Sequence, residues 1–588
     1  VINENWVKGH RHIINRTDKV NFDGNYSITI NNNEYKVEIS NSLTKPSSKI
    51  KKDSLSIKSK ASLVDDWFNL TIFDSIDGKS SFAQITSKVN SNEKLSGTGS
   101  DFNNLRFSFK STNKKEDKVN DKKKNKNSKS KISNVSSLTY PNVGFGFTNL
   151  PSGQSIHFKN ATLWTNESEG VINNTDIIID TGKIISIGKN LNTPENFKVI
   201  DATNKHITSG IIDEHSHMGA SSINEGGHNS SAEVSIMDVI DPDDINIYRN
   251  LAGGVTTVQI LHGSANPIGG QSAIIKLRWG SEIDNMFFKD ADPFIKFALG
   301  ENVKQSNWGG SRFPQTRMGV EQVFIDHFDR AAEYADNWTK YNSLSKRQKN
   351  FADTPRFDEE LETLWEIMRG DRFVSSHSYV QSEINMLMKV AEKFNFRINT
   401  FTHILEGYKV ADIMREHGVG ASTFSDWWGY KYEVNDAIPY NASIMHNAGV
   451  TVALNSDSSE LSRRLNLEAA KAVKYGGVSE EEAWKFVTLN PAKLLHLDDK
   501  VGSLKIGKHA DIVIWSGHPM SLYTKVEQTY IDGSLYFDQE QHKNKIEEIQ
   551  KEKTELIKLM FEDNTPGGNL NYPNPRAQRE VNCETTEF

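Results

Sequence analysis

Between His206 and Asp457 the sequence alternates apolar runs of strand length with segments of helical period, and this alternation restricts the fold more than any other property of the chain. Counting HITSGIIDEHSH as the first, the strand-like runs continue with GVTTVQIL, SAIIKLR, PFIKFAL, RFVSSHSY, RINTFTH, GVGASTFS and VTVALNSD, eight in all. Amphipathic segments such as QSEINMLMKVAEKF and EGYKVADIMREH lie between several of them. Strands regularly separated by helices pair in parallel, and eight such units make an α/β fold of the (β/α)8 TIM-barrel type. LNLEAAKAVKYG, SEEEAWKFVTL and NPAKLLHL read as closing helices, which puts the barrel at 206–497.

The flanks have a different period. Residues 1–112 carry short alternating runs, among them NYSITI, EYKVEI, WFNLTIF and LRFSFKS, separated by turn residues, which predicts a small antiparallel all-β domain. Residues 113–135 form a Lys- and Asn-rich run with almost nothing to bury, expected to be a disordered, solvated linker. Strand-like runs at 153–205 lead into the barrel, and others at 498–537 follow it and are expected to pair with them. A helix and a loose tail are expected over 538–588. INENWVKGHRHIIN near the start shares a strand, turn and strand pattern with EQTYIDGSLYFDQ near the end, so residues 1–112 are a candidate for the tail of an earlier copy of the same module.

Composition removes several classes. A chain of 588 residues exceeds what one core organises, so several domains are expected. The net charge of −7 gives no reason to propose a nucleic-acid partner. A single cysteine, Cys583, excludes both an intramolecular disulfide and a zinc–thiolate cluster. No apolar run approaches a membrane span, so the chain is read as soluble. It begins at Val1 without a signal peptide, which suggests a fragment or processed product and leaves the compartment open, export to a periplasm included.

The chemistry gathers at the strand ends. His215 and His217 in GIIDEHSHMG are one residue apart and would project from one face of an extended backbone. His377 ends RFVSSH, His403 ends RINTFTH and Asp457 ends VTVALNSD. In such a barrel the C-terminal strand ends face one site. Four imidazoles and a carboxylate form a borderline ligand set suited to zinc and tolerated by manganese, iron or cobalt.

From about residue 153 to 537 the chain resembles the amidohydrolase superfamily, in the group of imidazolonepropionase-like metal-dependent hydrolases. The resemblance rests on SGIIDEHSH, GVTTV, HGSANPIGGQS, IKFALGEN, the separated His377 and His403, LNSDS, TLNPAKLLHL and VGSLKIGKHADIVIW. It implies a composite β-sandwich domain, built from 153–205 and 498–537, beside the barrel. It also implies two divalent metals, zinc first, with His215, His217 and Asp457 holding one and His377 and His403 the other. Lys296 of FIKFAL would bridge them as a carbamylated lysine; Glu301 and Lys304 are competing bridges. The implied reaction is hydrolysis of an amide or cyclic C–N bond by a metal-activated water, with Asp457 passing the proton to the leaving nitrogen.

Around this core, His262, Asn266, Gln271 and Trp427 are candidates for substrate contact, and Trp428 shares the same mouth. His262 is equally open to a role as a satisfied core histidine, and Arg312 and Arg317 to recognition of a carboxylate or to exposed loop positions. The segment 307–369 is longer than a barrel loop requires, which suggests a lid or an oligomer contact. The expected partner is a small-molecule or peptide-like amide, with homo-oligomers possible. The rivals are a single-metal deaminase of the same superfamily, in which Lys296 has no part, and a non-catalytic binding scaffold.

Overall fold

The computed structural model describes residues 4–7, 10–13, 20–43, 45–64, 66–76, 79–89, 95–113, 138–305, 312–427 and 429–562. They belong to two compact units, residues 1–134 and 135–588.

The first unit is all β. An antiparallel hairpin, β1 (Glu4–Val7) with β2 (His10–Ile13), precedes the strands β3 (Gly24–Ile30), β4 (Asn33–Ser40), β5 (Ser47–Lys52), β6 (Leu55–Val64), β7 (Trp67–Ile76), β8 (Lys79–Lys88), β9 (Ser96–Ser100), β10 (Arg106–Lys110) and β11 (Thr112–Asn113). Each strand from β3 to β10 pairs antiparallel with the next. β11 continues β10 through Ser111 and pairs back onto β3, Thr112 opposite Ser27, so the meander returns on itself and leaves neither end strand unpaired. The two-residue alternation puts Tyr26, Ile28, Val37, Ile39, Leu70 and Ile72 inside. Beyond Asn113 the Lys- and Asn-rich run lies outside the described residues.

The second unit opens with β12 (Ile156–Trp164), β13 (Val171–Asp180), β14 (Lys183–Gly188), β15 (Lys198–Asp201) and β16 (His206–Ser209). The barrel strands follow: β17 (Ile211–Ser216), β18 (Val255–Ile260), β19 (Ile268–Gln271), β20 (Ala273–Lys276), β21 (Phe294–Ala298), β22 (Phe373–His377), β23 (Thr400–Thr402), β24 (Gly420–Thr423) and β25 (Val452–Leu454). The chain ends with β26 (Ile512–Trp515), β27 (Val526–Ile531), β28 (Ser534–Asp538) and the helix Gln539–Glu562. Segments from both sides of the barrel share one sheet, in which β12 pairs with β16, β16 with β26 and β26 with β27. Residues 563–588, the expected loose tail, lie outside the described residues. Among the described residues no helix is long and apolar enough to cross a membrane.

Three expectations need correction. HITSGIIDEHSH is two strands: His206–Ser209 joins the composite sheet, and only Ile211–Ser216 enters the barrel. The break falls at Gly210, where a Cβ would lie 2.0 Å from Thr256 Oγ1, so only glycine lets the chain pass between the two sheets. SAIIKLR is not a parallel strand: β20 runs antiparallel to β18, and β19, just before it, antiparallel to β21. The twelve residues 261–272 between β18 and β20 contain β19 and no helix to carry a crossover, so β20 returns antiparallel. The other strands, β17 with β18 and β21 through β25, are parallel. Within 307–369, the helix Arg317–Ser343 buries Val323, Phe324 and Phe328, with both phenylalanine rings against Phe297 of β21. Much of that segment is therefore the crossover from β21 to its parallel neighbour β22 rather than a lid.

Candidate metal centre

The barrel brings together the side chains that the strand ends offered. His215 lies near the end of β17 and His217 just past it, His377 ends β22, and Lys296 is the middle residue of β21. His403 and Asp457 each stand one or a few residues beyond a strand, with φ of 56° and 46°. A left-handed backbone at a non-glycine residue costs about 1 kcal/mol or more and is held only where the surroundings enforce it, commonly at a functional site. All six side chains are buried.

The distances define a tight knot. His217 Nε2 is 3.1 Å and His215 Nε2 3.5 Å from Asp457 Oδ1, while His403 Nε2 is 3.6 Å from Asp457 Oδ2. The Nε2 atoms of His215 and His403 are 3.2 Å apart, and Lys296 Nζ is 3.3 Å from His215 Nε2. His215, His403 and Asp457 alone place three ligand atoms within 4.8 Å of one another. Partners on the far side of the rings fix the tautomers. His217 Nδ1 is 2.8 Å from the carbonyl oxygen of Leu261, which can only accept, so Nδ1 carries a proton and Nε2 is the nitrogen turned to Asp457. His215 Nδ1 is 2.8 Å from Thr402 Oγ1, which donates to Glu214 at 3.1 Å; with Glu214 ionised, His215 too is protonated on Nδ1. The Nε2 atoms of both rings then converge on one carboxylate, an arrangement that a cation satisfies.

Electrostatics agree with that set. Burial pushes His215 and His377 well below the usual imidazole range and His403 down to about 3, so these rings are neutral. Burial alone would raise Asp457, but its contacts with His403, His217 and the Lys296 ammonium more than offset that and hold the carboxyl below its ordinary value. Burial lifts Asp213 to about 6 and Glu214 to about 7 beneath the site. Asp213 accepts from the backbone and hydroxyl of Ser456, at 3.1 and 2.5 Å, and so locks the Asp457 segment to β17.

His377 stands to the side of the knot, its ring 5.3 Å from that of His403, and both of its buried nitrogens have no hydrogen-bond partner among the described residues. Two buried, unpartnered nitrogens are what a missing ligand partner leaves. Lys296 Nζ also reaches the carbonyl of His262 at 3.4 Å. Glu301 and Lys304 are less buried than Lys296, and the backbone N–H of Glu301 donates to Glu433 at 2.9 Å.

The four substrate candidates separate. His262 has both ring nitrogens engaged by backbone, Nε2 accepting from Glu225 N at 2.8 Å and Nδ1 lying 2.9 Å from Gly263 O, as a core histidine would. Asn266 Nδ2 donates to Glu225 O and Ser231 Oγ, and Gln271 Nε2 to Ala232 O and Thr363 Oγ1, so both amides hold the loop after β17. Trp427 stacks on Phe424 at 4.7 Å, which stacks on His403 at 4.8 Å, a line of rings running out from the knot. Trp428 lies outside the described residues. Arg317 pairs with Glu383 and Glu433 at 3.1 and 3.0 Å, and Arg312 donates to backbone carbonyls, including Ala265 O at 2.8 Å, so both have structural partners.

Sequence reading missed Thr402, Tyr379 and Lys431. The Tyr379 ring lies 4.6 Å from that of His377, and Lys431 Nζ sits 4.3 Å over Tyr379. For Thr402 and Tyr379 the available signal was a hydroxyl or aromatic residue within two positions of a strand-end histidine, whereas Lys431 had none. A cavity of about 660 Å³ opens beside His217, walled by Gly219, Ala220, Asp241, Asn246 and Ser459 among others.

Residues 434–558 match the model of the amidohydrolase family. Over 437 residues the chain is 29% identical to amidohydrolase tasK of Hapsidospora irregularis, a match covering 66% of this chain and 43% of that protein, so the chain spans less than half of that relative. It is 25% identical over 392 residues to an imidazolonepropionase of Picrophilus torridus, covering 60% of this chain and 90% of the relative. The crystal structure of an amidohydrolase from Thermotoga maritima MSB8 superposes with a TM-score of 0.60 at 32% identity, covering 65% of this chain and 100% of that one. That solved chain is matched over its whole length by the barrel unit's fold and sequence alike, and on this ground the chain belongs to the amidohydrolase superfamily.

Proposed function

We propose that the second unit is a metal-dependent hydrolase of a carbon–nitrogen bond, amide or cyclic amide, in a small or peptide-like substrate. The observation that carries this reading is the meeting of the His215 and His217 Nε2 atoms with the Asp457 carboxylate, with His403 alongside. His215, His217 and Asp457 would hold one divalent cation and His377 and His403 a second, with Lys296 as a carbamate between them. When bound, such ions, zinc foremost, polarise the scissile carbonyl and bring the pKa of water toward neutrality. Asp457, kept ionised by its contacts, takes the proton that the attacking water gives up and returns it to the departing nitrogen, which would otherwise leave as a basic anion. The Trp427–Phe424 stack supplies an apolar wall for the part of the substrate beside the reacting bond. The Leu261 carbonyl and Thr402 hydroxyl keep the imidazoles turned toward the centre.

The test is metal content per chain, by elemental analysis of protein purified without chelator, for the native chain and Lys296→Ala. About two ions, reduced by the substitution, with turnover of an amide library, is the expected result. About one ion, indifferent to Lys296, would move the reading to the deaminase chemistry, and no uptake of added zinc or manganese would end it.

A further inference from the structure

All the residues of the candidate metal centre belong to the second unit, and the first unit has an outer face of its own character. Along β5 to β10, residues alternate between the packed interior and solvent, so the outward set follows from the register. Strand β7 turns Trp67 and Phe73 outward, exposed by 48% and 40%, and β8 turns out Phe82, exposed by 53%. Phe73 and Phe82 face each other across the strands with centroids 6.4 Å apart, and Trp67 lies six residues away on β7, about 20 Å at strand rise. Between these ring sites runs a neutral polar row of Asn69, Thr71, Gln84 and Thr86, with Thr86 Oγ1 donating to Asn69 Oδ1 at 2.8 Å.

Cations flank the row on both sides. Lys58 and Lys60 on β6 stand beside Phe73 and Thr71, with Lys51 beyond them on β5 and Lys49 there opposite Glu38 of β4. Lys88 is opposite Trp67, and Arg106 and Lys110 point outward from β10. All are exposed. Among the described outward positions of these six strands there is no Asp or Glu; acids such as Asp53 and Asp101 sit in the turns at the rims. On the neighbouring β4, exposed Glu38 stands opposite Lys49, whereas Lys58, Lys60, Lys88, Arg106 and Lys110 have no acid directly opposite, and within a chain of net charge −7 this set raises the local potential toward an anion.

We propose that this face binds an acidic polysaccharide. An extended sugar polymer has apolar ring faces that lie on Trp67 and the Phe73–Phe82 pair, and hydroxyls that exchange hydrogen bonds with the neutral amides and hydroxyls between them. Its carboxylate or sulfate substituents project sideways to the flanking lysines and arginine. A lipid surface fits less well, because the rings stand about 20 Å apart with a polar row between them rather than together at one tip of the unit. Single-stranded nucleic acid shares the demand for rings and cations and is the polymer that the test must separate.

The full-length chain is run by affinity electrophoresis and titrated, with the part of its tryptophan fluorescence change that Trp67→Phe removes as a second signal, against four probes: polygalacturonate, neutral dextran, a single-stranded oligonucleotide and phosphatidylglycerol vesicles. Polygalacturonate is expected to bind best, with affinity falling as salt rises. Trp67→Ala and Phe73→Ala, and separately Lys58→Glu with Lys60→Glu, should each weaken it about tenfold or more, with unfolding midpoints and metal content unchanged. Tighter binding of the oligonucleotide or the vesicles would overturn the assignment. So would retention of polygalacturonate that depends on the lysines but not on the rings, since that is charge attraction without a sugar site. Absence of binding to all four would overturn it too.

Discussion

Thr402 offers the most direct test of how the metal centre is held. Its hydroxyl, fully buried, is 2.8 Å from His215 Nδ1, donates to Glu214 Oε1 at 3.1 Å and accepts from Asn455 Nδ2 at 3.3 Å. Valine has nearly the same shape, so Thr402→Val removes three polar contacts and leaves packing in place. Two donors, on His215 and Asn455, lose an acceptor in a dry interior, at about 1–3 kcal/mol each, and a destabilisation of about 2–6 kcal/mol is expected. The His215 ring loses the bond that fixes its tautomer, for which metal affinity should fall about 10–100-fold. Chelator competition followed by elemental analysis reads the second effect, and denaturant unfolding of the metal-free chain reads the first. Thr402→Ser should restore most of both. A valine variant that keeps its metal as tightly as the native chain would refute the claim that His215 is oriented through Thr402, whatever its stability.

Other expectations follow from the same geometry. Asp457→Asn should lower kcat/KM about 10²–10⁴-fold on any amide the chain turns over, and a smaller loss would remove Asp457 from proton transfer. Gly210→Ala places a methyl 2.0 Å from Thr256 Oγ1 and 2.4 Å from its Cγ2, so overpacking should cost about 1–3 kcal/mol in unfolding experiments; unaltered stability would contradict the tight passage between sheets. His206 accepts from Trp164 Nε1 at 2.9 Å, and burial together with the nearby His518 holds its pKa below the ordinary 6.5. Since its folded value is depressed, its stabilising contribution is present above the unfolded value and is lost as pH falls from there through the folded value. The unfolding midpoint should therefore drop on acidification below about 6.5, and His206→Gln should flatten that slope; parallel slopes would exclude His206 as the titrating group.

What the sequence determines here is local. The two-residue period makes β4 and β7 one-sided, and the apolar run IID ahead of His215 and His217 makes a buried strand, because each pattern repeats within the span of its own element. The strand-end positions of His215, His377, His403 and Asp457 were legible for the same reason, as was the reuse of strands from both sides of the barrel. The lack of a helical segment between GVTTVQIL and SAIIKLR was also in the sequence and weighs against a parallel third strand. Tertiary structure decided the rest. Thr402 meets His215 across 187 positions and Ser456 meets Asp213 across 243, and no local period encodes a partner at that distance. The same closure spends Asn266, Gln271 and His262 on holding a loop, brings Phe424 between His403 and Trp427, and pairs β11 with β3 to complete the first unit. Side-chain type states what a residue can bond, but burial and the neighbours folded against it determine which bond is made, because each donor and acceptor taken out of water must be satisfied by whatever the fold has placed within reach.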